Sequence, residues 1–238
     1  MAVAEPVRTS GPLTVRIAQM GGLVEQQLVD VIAAVERRDP ALAAKVKEAD
    51  TEVDAALLRI EADVTDRLRR GGLSEAVLRE AMSALKIAGE LERIGDLAKN
   101  IAKRSRVVSA HEPVKSITGV MRMGRISLRQ VTEVLNALSA VDVDAAMAVW
   151  AGDDEIDELY NSLFEEILGQ MDRDEASIAA ATHLVFIAKN FERVGDHATN
   201  IAESVYFLGT GAHLVDQRPK SDVTPMIDTR DVAAGRAQ

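Results

Sequence analysis

The chain has 238 residues, no cysteine, and 38 acidic against 28 basic side chains; its net charge of −10 argues against a general binder of nucleic acid or anionic lipid. Without cysteine there are no disulfides, thiolate metal sites, thiol nucleophiles or iron–sulfur clusters in these residues, and a reducing compartment fits. Aromatics are 3% against 47% hydrophobic residues, so Ala, Leu, Val, Ile and Met must build the core, which favours helix-on-helix packing over a β-sandwich.

In chain order, the residues before Leu13 lack both a basic leader and an apolar h-region, and no apolar run approaches the ~18 residues that span a bilayer. A soluble cytoplasmic protein is expected. Prolines at 6, 12, 40, 113, 219 and 225 leave 41–112 and 114–218 free of the strongest helix breaker. Stops or N-caps at Asp39-Pro40, Gly71-Gly72, His111 to Pro113, Val141-Asp142 and Met171 to Asp174 divide the body into six helices. These are predicted near 14–37, 41–70, 74–109, 115–140, 143–171 and 175–208. On the second, Val46, Val53, Leu57, Ile60, Val64 and Leu68 form one apolar stripe. Short connections make successive helices antiparallel neighbours, and three close a bundle. Residues after Leu208 turn to Gly, Pro, Thr, Asp and Arg without periodicity, so 209–238 is expected to be a disordered tail, like the residues before Leu13.

The halves repeat each other. IAGELERIGDLAKNIAK at 87–103 and IAKNFERVGDHATNIAE at 187–203 are identical at ten of 17 positions. Upstream the offset is 103: Met20-Gly21 matches Met123-Gly124, and Asp39, Asp50 and Asp54 match Asp142, Asp153 and Asp157. Gly71-Gly72 has no counterpart, which accounts for the change of offset. The predicted fold is all-α, a tandem duplication of an antiparallel three-helix bundle, with repeats at 13–110 and 114–208.

Each copy carries two acidic pairs at i, i+4: Asp50/Asp54 with Glu92/Asp96, and Asp153/Asp157 with Glu192/Asp196. Residues four apart share one helix face, so two neighbouring helices could offer four carboxylates to one cation. A single such pair in so acidic a chain is most often a solvated face. Four pairs at equivalent places are different, because like charges at this spacing cost a helix roughly 0.2–0.5 kcal/mol each. Four carboxylates within ~6 Å repel by about 0.7 kcal/mol per pair in water and about 3 at an effective dielectric of 20. They must protonate, spread apart or bind a metal, and binding is the preferred reading. All-oxygen ligands suit Mg, Mn or Fe and admit Zn.

Other motifs carry less. Arg93 and Arg193 are equally readable as partners of the carboxylates or as i, i+3 salt bridges to Asp96 and Asp196, and Asn100 and Asn200 read as interhelical hydrogen bonders. His197 has Leu97 as its counterpart, which argues against a shared ligand role; His183 and His111 read as structural or surface residues. No Glu-x-x-His pair, P-loop, G-x-G-x-x-G or G-x-S-x-G is present.

At the repeated LERIGDLAKNIA and FERVGDHATNIA segments, and over roughly residues 13–208, the chain resembles the PhoU family, accessory proteins of phosphate-specific transport. The family's metal motif, an acid followed four positions later by Asp, matches Asp50/Asp54, Glu92/Asp96, Asp153/Asp157 and Glu192/Asp196. The resemblance implies divalent metal on those eight residues, in multinuclear iron or zinc clusters or with other divalent ions, and a homodimer. It implies a negative regulator that, in phosphate excess, connects the ATPase of the phosphate ABC transporter to a membrane sensor histidine kinase. A binding protein that is not an enzyme, with no nucleic-acid partner, is expected. The alternatives are a phosphate-permease accessory adaptor, a metal-dependent phosphohydrolase and a purely structural helical adaptor.

Overall fold

The computed structural model describes residues 11–112, 115–171, 178–215 and 224. The six expected helices are present and the fifth is interrupted, giving α1 (Pro12–Glu36), α2 (Pro40–Arg70), α3 (Glu75–Ser109), α4 (Ile117–Ala140), α5 (Val143–Ala151), α6 (Asp154–Met171) and α7 (Ile178–Thr210). No strand occurs among the described residues. The expectations for residues 1–10, 113–114, 172–177, 216–223 and 225–238, which include most of what is expected to be tails, lie outside them.

Local chemistry sets the boundaries. The Asp39 carboxylate accepts from the Ala41 and Leu42 amides at 2.8 and 3.3 Å, with Pro40 at the first helical position. Asp142 caps α5 through the Ala145 amide at 3.0 Å, and Ser74 caps α3 through Val77 at 3.4 Å. Gly71 and Gly72 end α2 at φ of 67° and 66°, a region that penalises side chains. The interruption of the fifth helix falls at Gly152, where the first copy has Ala49 within an unbroken α2. Glycine is about 1 kcal/mol poorer than alanine in a helix, and the Gly152 carbonyl accepts instead from the Gln130 side-chain amide at 3.3 Å. The chain re-enters helix with Asp154, Glu155 and Asp157 in the first turn, where acids complement the helix dipole. At the other end, the helix passes the boundary expected at 208. Helix α7 continues to Thr210, and His213 stacks on Phe207 with ring centroids 4.5 Å apart.

Helices α1, α2 and α3 pack on one another, while α4, α5 and α6 surround α7. The most extensive pairing is α3 with α7, and α1 with α4 also joins the copies, so both share one apolar core. Small residues make these approaches close: Ala81, Ala84, Ala88 and Ala102 of α3 are buried, as are Ala180, Ala181, Ala188 and Ala202 of α7. A methyl on Gly21 would sit 2.7 Å from Leu135, and one on its counterpart Gly124 would sit 2.9 Å from Phe191. The stripe of α2 is buried at Val46, Val53, Ile60 and Val64, whereas Leu57 is half-buried and Leu68, in the last turn, is exposed. No helix among the described residues is long and apolar enough to cross a membrane.

Candidate functional site

The first acidic cluster lies between α2 and α3. Asp50 is buried, Asp54 is exposed, and Glu92 and Asp96 are half-buried. Their approach depends on Gly95: a methyl there would lie 3.0 Å from Gln27 Oε1 and 3.7 Å from Asp50 Oδ1. Gln27, from α1, donates to the Val46 carbonyl at 3.3 Å, and its Oε1 is buried with no hydrogen-bond partner. Lys99 spans the helices, pairing with Asp50 of α2 and standing 2.6 Å from Asp96 on its own helix. Hydrogen bonds to Asp50 and Asp96 hold the Lys99 ammonium well above the usual lysine range. Burial pushes the Glu92 carboxyl up, and Asp96, Asp54 and Asp50 push it further against the opposing Lys99 charge. Glu92 therefore feels the charge of the other three carboxylates.

The second cluster is deeper. Asp153, Asp157 and Glu192 are 1%, 2% and 4% exposed, and Asp196 is half-buried. Where the first copy has Lys99 this copy has Thr199, whose hydroxyl donates to Asp153 at 3.1 Å. Among the described residues a cation reaches this cluster from Lys189, 2.9 Å from Glu192 Oε1, its Nζ 4.9 Å from the centre of the Tyr160 ring. Glu192 Oε2 is buried without a hydrogen-bond partner, and so is Gln130 Oε1, the counterpart of Gln27. Burial pushes Glu192 up to about 7 despite Lys189, with Asp196 and Asp157 adding to the shift.

The donor chemistry fits a hard divalent cation: eight carboxylates, two uncompensated buried oxygens beside Gly95 and Gly195, and an orphaned oxygen on Glu192. As they stand, no three His, Asp or Glu side chains among the described residues gather closely enough to hold a metal ion. The ammonium of Lys99 takes Asp50 and Asp96, and Lys189 takes one oxygen of Glu192. Sequence reasoning passed over both lysines, although each stands three residues from an acid of the motif. Charge repulsion is relieved here by several routes at once: an exposed Asp54, a Glu192 near its protonation point, and internal cations.

Several neighbours differ from expectation. Arg93 is exposed and its nearest acid is Glu90 at 4.0 Å, because Lys99 already occupies Asp96. Asn100 is exposed and accepts from Lys103 at 3.5 Å on its own helix, whereas Asn200 does reach across the copies, donating to Glu90 at 3.0 Å. His197 joins the same link, its Nδ1 2.6 Å from Glu90. Burial of Glu90 opposes ionisation, yet the bonds from His197 and Asn200 hold its carboxyl below the usual range.

Comparison with known proteins gives one consistent result. The family model described as the PhoU domain matches twice, at residues 17–105 and 120–205. A phosphate-specific transport system accessory protein PhoU homolog from Caulobacter vibrioides is 43% identical over 212 residues, covering 89% of this chain and 92% of that one. A homolog of the same description from Rhizobium meliloti is 44% identical over 215 residues, 89% and 90% of the two chains. The crystal structure of PhoU from Pseudomonas aeruginosa superposes with a TM-score of 0.81 at 31% identity, covering 84% of this chain and 96% of its own. The phosphate transport system regulatory protein PhoU from Streptococcus pneumoniae gives 0.79 at 26% identity, with 86% and 96% coverage.

Proposed function

The chain belongs to the PhoU family, and from that premise we propose that it is a metal-binding regulatory adaptor of phosphate transport. It acts in the cytoplasm as a negative regulator, connecting the ATPase of the phosphate ABC transporter to a membrane sensor histidine kinase in phosphate excess. It reaches the membrane through those partners and works as a homodimer. Support for an accessory role comes from the relatives, which are named as accessory and regulatory proteins of phosphate transport. The observation that carries the metal reading is the repetition of one carboxylate arrangement in both copies, each beside a glycine and a glutamine with an orphaned oxygen.

Asp50, Asp54, Glu92 and Asp96 would hold the ion in the first copy, and Asp153, Asp157, Glu192 and Asp196 in the second. A divalent cation held there would supply positive charge to the carboxylates of both helices. In the first copy Lys99 holds Asp50 and Asp96 and would have to release them for a cation to bind, which would change the charge that the α2–α3 face presents. In the second, loss of the Glu192 proton and a cation's arrival are coupled, because both act on the same buried carboxyl. The test is affinity capture from detergent-solubilised membranes of phosphate-replete cells. The transporter ATPase and the sensor kinase should be retained by the wild type and depleted with an Asp50→Asn/Glu92→Gln/Asp96→Asn variant. Retention of a phosphate permease in their place overturns the reading.

A further inference from the structure

A groove of about 630 Å³ runs between the first turns of α2 and the last turns of α3, outside the acidic clusters. Its floor is apolar, with Ala43 and Ala102 buried beneath it, and its walls carry Lys47 from α2 and Lys103 and Arg106 from α3. Residues 103 and 106 are one turn apart on one helix face, so three cations border one space. Glu48 is the one acid lining it. Neither Lys47 nor Arg106 has an ion-pair partner among the described residues, and Lys103 makes only a 3.5 Å bond to Asn100. In a chain of net charge −10 this is a local reversal of sign.

The duplication supplies an internal control. The counterparts of Lys47, Lys103 and Arg106 are Trp150, Glu203 and Tyr206. In that copy Trp150 is 8% exposed and its indole N–H donates to Glu203 at 3.3 Å, so the tryptophan takes up the space between the helices. The same scaffold thus closes the groove with an aromatic ring and one negative charge in one copy, and leaves it open with three positive charges in the other. Helix packing does not require the open form.

We propose that the α2–α3 groove is an anion-binding site for a small ligand carrying two or more phosphoryl groups. The volume falls within the roughly 300–1,000 Å³ of small-molecule sites and exceeds what one inorganic phosphate fills. Three cations of two types, with one guanidinium able to grip two phosphate oxygens, match an oligophosphate. The alanine floor would receive the apolar face of a base, which makes the source either a nucleotide or a free oligophosphate. The proposal is independent of metal on the carboxylate clusters.

Isothermal titration of the full chain in excess EDTA tests it, with ADP, ATP and tripolyphosphate as separate probes and inorganic phosphate as the reference. At least one polyphosphorylated probe should bind, and tenfold or more tighter than phosphate. Tighter binding of ATP than of tripolyphosphate identifies the nucleotide source; the reverse identifies the free oligophosphate. The variant Lys47→Gln/Lys103→Gln/Arg106→Gln changes exposed side chains only and should weaken binding at least 30-fold with an unchanged circular dichroism spectrum. Arg59→Gln/Arg122→Gln, at exposed positions elsewhere, should bind as the wild type does. Absence of binding to all three probes, equal binding by the triple variant, or tighter binding of a poly-glutamate peptide than of any phosphorylated probe overturns the proposal.

Discussion

Lys99 of α3 reaches Asp50 of α2, so the first carboxylate cluster carries a cation of its own. Asp50 is 7% exposed, and removing its partner leaves a charge shielded from water. Lys99→Met should lower stability by about 1–3 kcal/mol in chelator at pH 7, read by urea unfolding. The same variant should bind added Mg or Mn more tightly than the wild type, because the competing ammonium is gone. A loss of stability that saturating divalent cation leaves uncorrected would separate the lysine from the cation site.

Glu192 gives the second prediction. Its folded pKa, about 7, lies above the ordinary glutamate value of 4.5, so the native state favours the protonated form. That contribution is complete below about pH 4.5 and is lost as pH rises through about 7. Metal-free wild type should therefore lose stability across this window, and Glu192→Gln should flatten the profile and be more stable by about 1–3 kcal/mol at pH 8. Chemical unfolding at half-unit pH steps checks it. A steeper loss in the variant would contradict the account.

The link between the copies makes a third. Glu90 on α3 meets His197 and Asn200 on α7, and its carboxyl is held below the usual range. The stabilisation is present above about pH 4.5 and lost as pH falls through the lower folded value. His197→Ala should cost about 1–2 kcal/mol at pH 7 and shrink the acid-induced part of the loss. Thermal unfolding at pH 7 and pH 3.5 gives the comparison, and a cost that is larger at the lower pH would contradict it.

Gly124 supplies the fourth. A methyl there would lie 2.9 Å from Phe191 and 3.1 Å from Ile32, both rigid core groups. Gly124→Val should cost about 1–3 kcal/mol through overpacking, whereas Gly22→Ala, where a methyl meets nothing within 4 Å, should be neutral or better. Denaturant midpoints of the two variants check the contrast.

The duplication and the helix count were legible because Asp39 and Asp142 cap where they stand in the sequence, because Gly71-Gly72 stops α2, and because the apolar stripe of α2 keeps helical period. The break at Gly152 was not, since one glycine in a helical pattern is tolerated more often than it ends a helix; the Gln130 amide that claims its carbonyl comes from another helix. The acids stood out as pairs at fixed spacing, which is a local signal. What balances them is tertiary: Lys99 acts across α2 and α3, and the Glu90–His197 contact exists only because the two copies pack along α3 and α7. Arg93 shows the reverse case, a residue beside the motif whose charge points away from it.

Elemental analysis of divalent metal in the purified native protein, set beside a variant with the eight acids replaced by Asn or Gln and shown by circular dichroism to be folded, tests the central claim. The account predicts that the wild type retains metal and the variant does not. Equal metal content in the two proteins, or none in the wild type after purification without chelator and reconstitution with Fe, Zn, Mn and Mg in turn, would contradict it.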